Sequence, residues 1–387
     1  MPSLSDKLRM FDNGAARPAP KQDDAPLPQD CYHTSKRFPL ASFSDVRHMT
    51  PLVLEQVFGI PFPRNVKPAD VLFLDTETTG LSGGAGTVAF QVGAGYLSGN
   101  HFVVEQFLMR DYPEEPLLLD KIGHLMRAFP VLATFNGRTF DAPLLQNRFL
   151  MHRMPGRFIS DYHADVLHAA RRVWKLRLGR CTLQRLESEI LGVTRDDDLP
   201  GSDVPRTYFQ YLHNRDFTPL ERVLDHNRQD IVSLAQLFFF LCKLFDQPET
   251  AQAPDDLFAL AKAMDKRGAL EKAKKCYRMA ARDTRRAQAF QALAVGEVRA
   301  GNLPNAMKLY TTMLARGDEP ILVCEALAKL YEHKLADPEQ AMVYTRQALL
   351  MLSEPSLRES DAVQLKRDAL QYRYARLRRR LMSDANA

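Results

Sequence analysis

The feature that most constrains the fold is a short apolar run that ends in acidic residues. Residues 71–74 (Val-Leu-Phe-Leu) lead directly into Asp75, Thr76 and Glu77. An apolar run of this length, without polar alternation, predicts a β-strand that is buried on both faces. Such a strand needs a sheet covered on both sides, so the run predicts a layered α/β domain.

The segments that follow predict the rest of this domain. Two strand-like runs, 87–97 and 102–109, are joined by a hairpin-type connection, and short strands at 131–135 and 158–166 alternate with helical patterns. Strands that are first antiparallel and then linked by crossover helices form a mixed sheet flanked by helices. That order is the RNase H-like arrangement. We expect this domain over residues 38–247, with a flexible N-terminal arm at residues 1–37.

Beyond this domain the sequence is helical throughout and contains a repeat. Ala273, Ala306 and Ala341 stand at corresponding places in three similar motifs, spaced by 33 and 35 residues. The spacing is close to the period of about 34 residues in tetratricopeptide repeats, where small residues let paired helices approach. It predicts an all-α tetratricopeptide-like repeat domain over residues 254–383, with an unrelated helical bundle as the alternative.

The charge of the chain is unevenly distributed. From Asp256 onward there are 24 Lys and Arg against 16 Asp and Glu, a net charge of +8. Residues 1–255 carry a net charge of −3, which gives the total of +5. An acidic first part beside a basic second part suits a carboxylate metal site next to a surface that attracts phosphates. A set of solvated basic helices explains the same charges.

Several absences bear on location. No apolar run is long enough to span a membrane, and no apolar signal segment is found near Met1. The five cysteines stand singly, which indicates a reducing compartment rather than a disulfide framework. These features predict a cytoplasmic protein without a membrane partner.

The acids after the first strand are the strongest candidates for chemistry. Asp75 and Glu77 are two residues apart on a strand, so their side chains point to the same side. Two like charges so close repel each other and need a cation or a proton between them. The alternative, a surface turn with two solvated acids, is disfavoured by the apolar run that leads into them.

Further candidates lie downstream. Asp141 follows the predicted strand 131–135 at the start of a helix, where Asp is also a common N-cap. His226 and Asp230 are four residues apart in the last helix of the domain, so they project from one face. An imidazole beside a carboxylate suits water activation, because the pKa of histidine lies near working pH. Each has an ordinary structural explanation alone; together with Asp75 they indicate a site.

This set of residues carries a family resemblance. Asp75, Glu77, Asp141 and Asp230 resemble the acidic set of the DEDD exonuclease superfamily. More narrowly, the chain resembles the YprB-type, predicted-exonuclease branch of the RNase H-like fold over about residues 38–245. The motifs that carry this narrower resemblance are the segments 75–80, 83–87, 135–137 and 195–201, and His226-Asn227 with Asp230.

The resemblance implies a hydrolase: a metal-dependent nuclease, most simply a 3′–5′ exonuclease on single-stranded DNA or RNA. It implies two divalent ions, Mg²⁺ or Mn²⁺, with Asp75 bridging both, Glu77 and Asp230 completing one, and Asp141 helping the other. His226 would orient or deprotonate the attacking water. DEDD enzymes with a histidine usually place it five residues before the last Asp, and here the spacing is four, so this role stays open.

Two other functions remain open. A structure-specific endonuclease would use the same metal site. A catalytically silent RNase H-like scaffold would instead serve protein–protein interaction through the helical repeats, which usually bind peptides in a concave groove. The sequence therefore predicts nucleic acid as a partner and allows a protein partner for the repeats.

Secondary candidates complete the set. Asp165 follows the last predicted strand, where it supports the site from behind or caps the next helix. Arg171, Arg172 and Lys175, with Trp174 among them, would grip phosphates and stack a base. The alternative for these four residues is a solvated helix face over the core.

Overall fold

The computed structural model describes residues 29–80, 86–154, 159–195, 198–282, 286–354 and 360–384. The strands are β1 (Tyr32–Pro39), β2 (Val71–Thr78), β3 (Ala89–Ser98), β4 (His101–Leu108), β5 (Val131–Thr134) and β6 (Tyr162–Asp165). They form one sheet in the order β1-β4-β3-β2-β5-β6. The strands β1, β4, β3 and β2 pair antiparallel, whereas β2, β5 and β6 pair parallel. The predicted mixed sheet is confirmed.

Helices cover both faces of this sheet. They are α1 (Pro51–Phe58), α2 (Glu115–Ala128), α3 (Asp141–Met151), α4 (Val166–Leu178), α5 (Leu183–Leu186), α6 (Val204–Asn214) and α7 (Thr218–Asp246). A π-helical turn, Glu187–Leu191, continues α5, and short 3₁₀ turns occupy Leu40–His48, Pro68–Asp70, Tyr112–Glu114 and Pro248–Thr250. The order of strands and helices is that of an RNase H-like fold.

Strand β2 lies at the centre, where the apolar run predicted it. Val71 and Phe73 belong to one apolar cluster and Leu72 and Leu74 to the other, so alternate side chains enter the two faces of the sheet. All four are at most 1% exposed. The predicted burial of this strand on both faces is confirmed.

Helix α7 is the element that brings the last part of the domain onto the sheet. It has Pro219 in its first turn, where the missing N–H costs nothing, and it ends before Pro248, which disfavours a helical conformation at Gln247. Its buried face contacts β2, β3 and β4. The helix therefore places its own polar residues beside the acidic end of β2.

An all-α region follows the sheet domain. It contains α8 (Pro254–Lys266), α9 (Leu270–Ala280), α10 (Arg286–Arg299), α11 (Leu303–Ala315), α12 (Pro320–His333), α13 (Pro338–Leu352) and α14 (Asp361–Asp384). Successive helices pack in pairs, α8 with α9, α10 with α11 and α12 with α13. The repeated Ala273, Ala306 and Ala341 are all buried, as expected where helices approach closely. This region is consistent with a repeat domain; its tetratricopeptide character stays a prediction.

The apolar core is continuous between the two parts. Helix α8 packs on α4, and Trp174, Leu260 and Met264 belong to the same buried cluster. At the edge of this contact, Arg177 Nε and Nη2 donate to Asp256 Oδ1 and Oδ2 at 3.0 and 2.9 Å. The domain boundary at residues 247–254 remains a prediction, but the parts on either side of it are docked together.

The N-terminal prediction needs a correction. Residues 32–37 are not part of a flexible arm, because Tyr32–Pro39 forms the edge strand β1 and pairs along its whole length with β4. Because β1 is largely polar, it contains no apolar run that would predict a strand. Residues 1–28 lie outside the described residues.

Within the described ranges, no helix has the length and apolar character that crossing a membrane requires. The cytoplasmic location stays a prediction.

Candidate active site

The candidate active site is built on the end of β2. In the antiparallel register Asp75 faces Gly93 and Glu77 faces Gln91, and residues in such pairs lie on the same face of the sheet. A register shift after Glu77 marks the point where β2 leaves regular pairing with β3. The two carboxylates therefore stand together where the strand leaves the sheet.

Asn227 of α7 orients the first of these acids. Its Nδ2 donates to Asp75 Oδ2 at 3.0 Å, and its Oδ1 accepts from Gln106 Nε2 at 3.1 Å. Gln106 Nε2 also donates to the carbonyl of Leu224 at 2.7 Å. Asn227 and Gln106 are fully buried, so this chain of hydrogen bonds fixes the Asp75 carboxylate from within the core.

A glycine makes this contact possible. A Cβ atom on Gly93 would lie 2.2 Å from Asn227 Oδ1 and 3.0 Å from Ile231 Cγ1. On the same strand, a Cβ on Gly95 would lie 2.5 Å from Ile231 Cγ2. Glycines two residues apart on one strand thus leave a smooth strip on which α7 lies.

Asp141 arrives from the parallel side of the sheet. Strand β5 pairs with β2, and the chain returns from β5 to Asp141, the first residue of α3. Asp141 is buried and its Oδ1 accepts from Thr76 Oγ1 at 2.5 Å. Thr76, which stands between Asp75 and Glu77 in the sequence, therefore holds the third acid in place.

Asp165 fixes the loop that leads to Asp141. Its Oδ1 accepts from the backbone N–H of Asn136 at 3.0 Å, and its Oδ2 accepts from that of Arg138 at 3.2 Å. Its Oδ1 also caps α4 by accepting from Leu167 N at 3.1 Å. Asp165 therefore caps α4, and its support of the site remains a prediction.

A cluster around Arg195 holds the fourth acid. The Arg195 guanidinium is paired with Asp230, with Glu187, and with Asp198 at 3.0 Å. His226 Nδ1 lies 2.8 Å from Asp198 Oδ1, and His226 Nε2 lies 3.7 Å from Asp230 Oδ2. Arg195, Glu187 and His226 are nearly buried, so this is a desolvated network of three acids, one arginine and one histidine.

Asp198 selects the tautomer of His226. Burial would raise the pKa of Asp198, but hydrogen bonds and charges from His226 and Arg195 outweigh it and lower this pKa. An ionised carboxylate only accepts hydrogen bonds, so Nδ1 carries the proton. Arg195 Nη1 also lies 3.4 Å from His226 Nδ1. With the proton on Nδ1 both atoms would be donors, so this contact is weaker than the one with Asp198. Nε2 then faces Asp230, 3.7 Å from its Oδ2.

The negative charges of the four acids influence one another's pKa values. Burial raises the pKa of Asp75 well above its usual range, followed by the charges of Asp230, Asp141 and Glu77. Burial, then the charges of Asp230 and Asp141, also raise the pKa of Glu77 well above its usual range. Burial raises the pKa of Asp141 to about 6 and also raises that of Asp230, against the opposing charges of His226 and Arg195.

This electrostatic strain fits a divalent cation. Four carboxylates, Asp141 buried and the other three partly buried, with a single arginine beside them among the described residues, leave negative charge that a cation would neutralise, and oxygen donors suit Mg²⁺ or Mn²⁺. As the side chains stand, no three His, Cys, Asp or Glu residues of the described ranges converge closely enough to hold an ion. Two of the acids are engaged elsewhere, Asp141 with Thr76 and Asp230 with Arg195.

Sequence reasoning missed several members of this site. The sequence motifs contain Thr76, Arg195, Asp198 and Asn227 but indicate no role for them, and Gln106 lies outside every motif. A signal for Asn227 was present, since glycines at 93 and 95 predict a close helix, and Asn227 adjoins the candidate His226. Gln106 and Glu187 gave no local signal, because their roles depend on tertiary contacts.

The predicted nucleic-acid grip on α4 needs a correction. Trp174 cannot stack on a base, because it is only 1% exposed and packs against Phe240 in the core. Arg171 and Lys175 lie on the exposed face of α4. Arg172 is exposed as a residue, but its guanidinium is partly enclosed against α1, where Nη2 donates to the carbonyl of Val57. Residues 81–85 lie outside the described residues.

Comparison with known proteins agrees with this fold. Residues 72–242, less than half of the chain, match the family model of the RNase_H superfamily, so this segment is similar to the domains of that superfamily. Proteins of this superfamily generally use divalent metal ions.

A curated relative extends the match. The chain is 31% identical over 236 residues to "Uncharacterized protein YprB" of Bacillus subtilis (strain 168), which covers 60% of this chain and 56% of that protein. The chain thus spans about half the length of this relative, and the resemblance to YprB-type proteins is confirmed.

A solved structure is also similar to the chain. The family B DNA polymerase from the hyperthermophilic archaeon Pyrobaculum calidifontis matches at 16% identity with a TM-score of 0.36, over 51% of this chain and 29% of that one. A score this low carries no weight for fold or function.

Proposed function

We propose that this protein is a metal-dependent nuclease, a 3′–5′ exonuclease that hydrolyses phosphodiester bonds of single-stranded nucleic acid. One observation carries the proposal. Carboxylates from β2, α3 and α7 of an RNase H-like domain are close enough to raise one another's pKa. Such an arrangement costs stability, and it is common where a fold is adapted to chemistry.

In this proposal Asp75, Glu77, Asp141 and Asp230 hold two divalent ions. When bound, these ions supply charge stabilisation for the attacking and leaving oxygens of an in-line displacement. Asn227 and Thr76 keep Asp75 and Asp141 in fixed orientations. Arg195 occupies Asp230 until the site is loaded, which limits the repulsion among the buried acids.

His226 is the proposed general base. Asp198 holds the proton on Nδ1, so Nε2 is free to accept a proton from water on the side of Asp230. The geometry favours this role although the histidine stands four residues before the aspartate. Asp198 acts as a positioning residue, because its side-chain contacts in the described residues are with His226, Arg195 and Gln184.

The decisive experiment is a cleavage assay. Purified protein is incubated with end-labelled single- and double-stranded DNA and RNA, with Mg²⁺, Mn²⁺ or EDTA. A metal-dependent ladder that shortens from the 3′ end of single strands would support the proposal. Internal cuts would favour the endonuclease alternative instead.

A second candidate is a catalytically silent scaffold whose helical region binds a protein. The pairing of Arg195 with Asp230 favours it, because a protein cation already neutralises one acid of the set. No cleavage of any substrate, with no effect of Mg²⁺ on thermal stability, would favour the scaffold over the nuclease.

A further inference from the structure

A cavity with several charged groups lies away from the carboxylates. It has a volume of about 650 Å³ and lies between the end of α1, the middle of α4 and the end of α8. Its walls include apolar Leu52, Phe58, Ile60 and Pro61. None of the acids of the candidate active site lines it. A cavity of this size, with apolar walls and a few charged groups, is typical of small-molecule sites.

The charged groups in this cavity are mostly cations. Arg172, Lys266 and Arg267 line it, against the single acid Glu55. Neither arginine has a carboxylate partner among the described residues: Arg172 Nη2 donates to the carbonyl of Val57, and so does Arg267 Nη1 at 3.1 Å. A guanidinium has five N–H donors, so the hydrogen bonds of the structure use only a small part of their capacity.

The two guanidinium groups lie close together, and burial and their mutual repulsion disfavour their charged forms. Burial lowers the pKa of Arg172, and burial followed by the charge of Arg172 lowers the pKa of Arg267 to about 10. Val57 lies in the last turn of α1, where carbonyl groups attract cations, and this accounts for one hydrogen bond of each arginine. It does not account for two unneutralised charges side by side.

The chain makes room for this pair. Gly59 ends α1 with a φ of 75°, and a Cβ atom there would lie 2.8 Å from Arg267 Nη2. The adjacent Gln56 lines the same cavity, and its Oε1 is buried without a hydrogen-bond partner. The cavity thus presents unused arginine donors, and its wall contains a buried acceptor without a partner.

We propose that this cavity binds the phosphate group of a small ligand of about mononucleotide size. Planar guanidinium groups match phosphate oxygens with paired hydrogen bonds, and Lys266 adds a third positive charge. Three cations against Glu55 suit a doubly charged phosphate better than a carboxylate. Phe58 and its apolar neighbours form a wall for the rest of the ligand. The site is independent of the proposed nuclease activity.

The test measures binding by isothermal titration in EDTA with the full chain carrying Asp75→Asn, which disables the active centre. The probes are adenosine 5′-monophosphate, inorganic phosphate and adenosine. We expect saturable binding of one equivalent of monophosphate, no binding of adenosine, and at least tenfold weaker binding after Arg267→Gln or Arg172→Gln. The matched control is Arg278→Gln, an exposed arginine of α9 outside the cavity, which should bind as before.

Two comparisons complete the test. Tighter binding of the monophosphate than of inorganic phosphate would identify an organic phosphate; equal binding would identify free phosphate as the ligand. If Arg267→Gln fails to fold, exposed Lys266→Gln replaces it, with Lys262→Gln one turn earlier as its control. The proposal is overturned if neither phosphate probe binds, or if the control substitutions weaken binding as much as the cavity substitutions.

Discussion

The guanidinium of Arg195 is paired with the carboxylate of Asp230, and its Nε also donates to the buried carboxylate of Glu187 at 2.8 Å. Arg195 thus joins an acid of the proposed metal site to an acid of the π-helical turn. In the described residues it is the one arginine that contacts an acid of the proposed metal site.

The first prediction follows from this pairing. Arg195→Gln leaves the buried Glu187 charge without its partner, which typically costs about 3–5 kcal/mol of folding free energy. It also frees Asp230, so Mg²⁺ should raise the melting temperature of the variant more than that of the wild type. Arg177→Gln, which breaks the distant pair with Asp256, is the control. An equal Mg²⁺ effect in both variants would mean that Arg195 does not compete for the acids.

A second prediction concerns Asp75. Asp75→Asn keeps the size of the side chain and a partner for Asn227, but it removes the charge at the centre of the four acids. Metal-dependent cleavage should fall to background at all Mg²⁺ concentrations in the end-labelled assay. Asp70→Asn, an acid just before β2 that lies outside the site, should retain wild-type rates. Full activity of Asp75→Asn would place the chemistry elsewhere.

A third prediction separates His226 from its orienting acid. His226→Ala should reduce the cleavage rate by roughly 10²–10⁴, the usual contribution of a general base. This deficit should shrink at higher pH, where hydroxide no longer needs a protein base. Asp198→Asn keeps the imidazole but loses the preference for the Nδ1 proton, so a smaller deficit is expected. Measured pH–rate profiles that are unchanged in both variants would exclude His226 as the base.

Gly93 provides a test of the support for the site. Gly93→Ala places a methyl group where Asn227 now lies, and overpacking of this kind costs about 1–3 kcal/mol. We expect a lower melting temperature together with a loss of activity larger than the loss of folded protein. Gly296→Ala is the matched control, since nothing lies within 4 Å of its added Cβ in helix α10. Alanine there should be neutral or stabilising by about 1 kcal/mol.

The raised pKa of Asp141 gives a pH-dependent prediction. Its folded value of about 6 lies above the unfolded value of about 3.9, so its contribution to stability is present at low pH and is lost as the pH rises through 6. In EDTA, Asp141→Asn should therefore gain up to about 3 kcal/mol on the wild type between pH 4 and pH 7. Urea unfolding at several pH values measures this. With Mg²⁺ present the advantage should shrink or reverse, and a pH-independent difference would contradict the prediction.

The central part of this molecule was predictable because its signals are local. The run 71–74 specifies a strand buried on both faces, and the adjacent Asp75 and Glu77 need only that strand to lie together. Placing Asp141 next to them required only the parallel pairing of β5 with β2, which the helical crossover implies. The repeated alanines were likewise readable, since close helix packing requires small residues at regular spacing.

What could not be predicted depends on contacts between distant segments. Strand β1 is polar on most of its length, and only pairing with β4 reveals it. Trp174 among basic residues has the composition of a nucleic-acid surface, yet the packing of α4 against α7 and α8 turns it inward. Arg195 and Asp198 meet Asp230 and His226 only after a turn of the chain whose path no local pattern specifies.

The contact of α4 with α8 fixes the position of the helical region relative to the sheet domain. Because a buried cluster joins Trp174 to Leu260 and Met264, the helical region does not swing freely about residues 247–254. A ligand bound to the first helices of that region is therefore held at a fixed distance and angle from the acids of β2. For the proposed nuclease, the length of strand between such a binding surface and the carboxylates of β2 would be set by the protein rather than by its substrate.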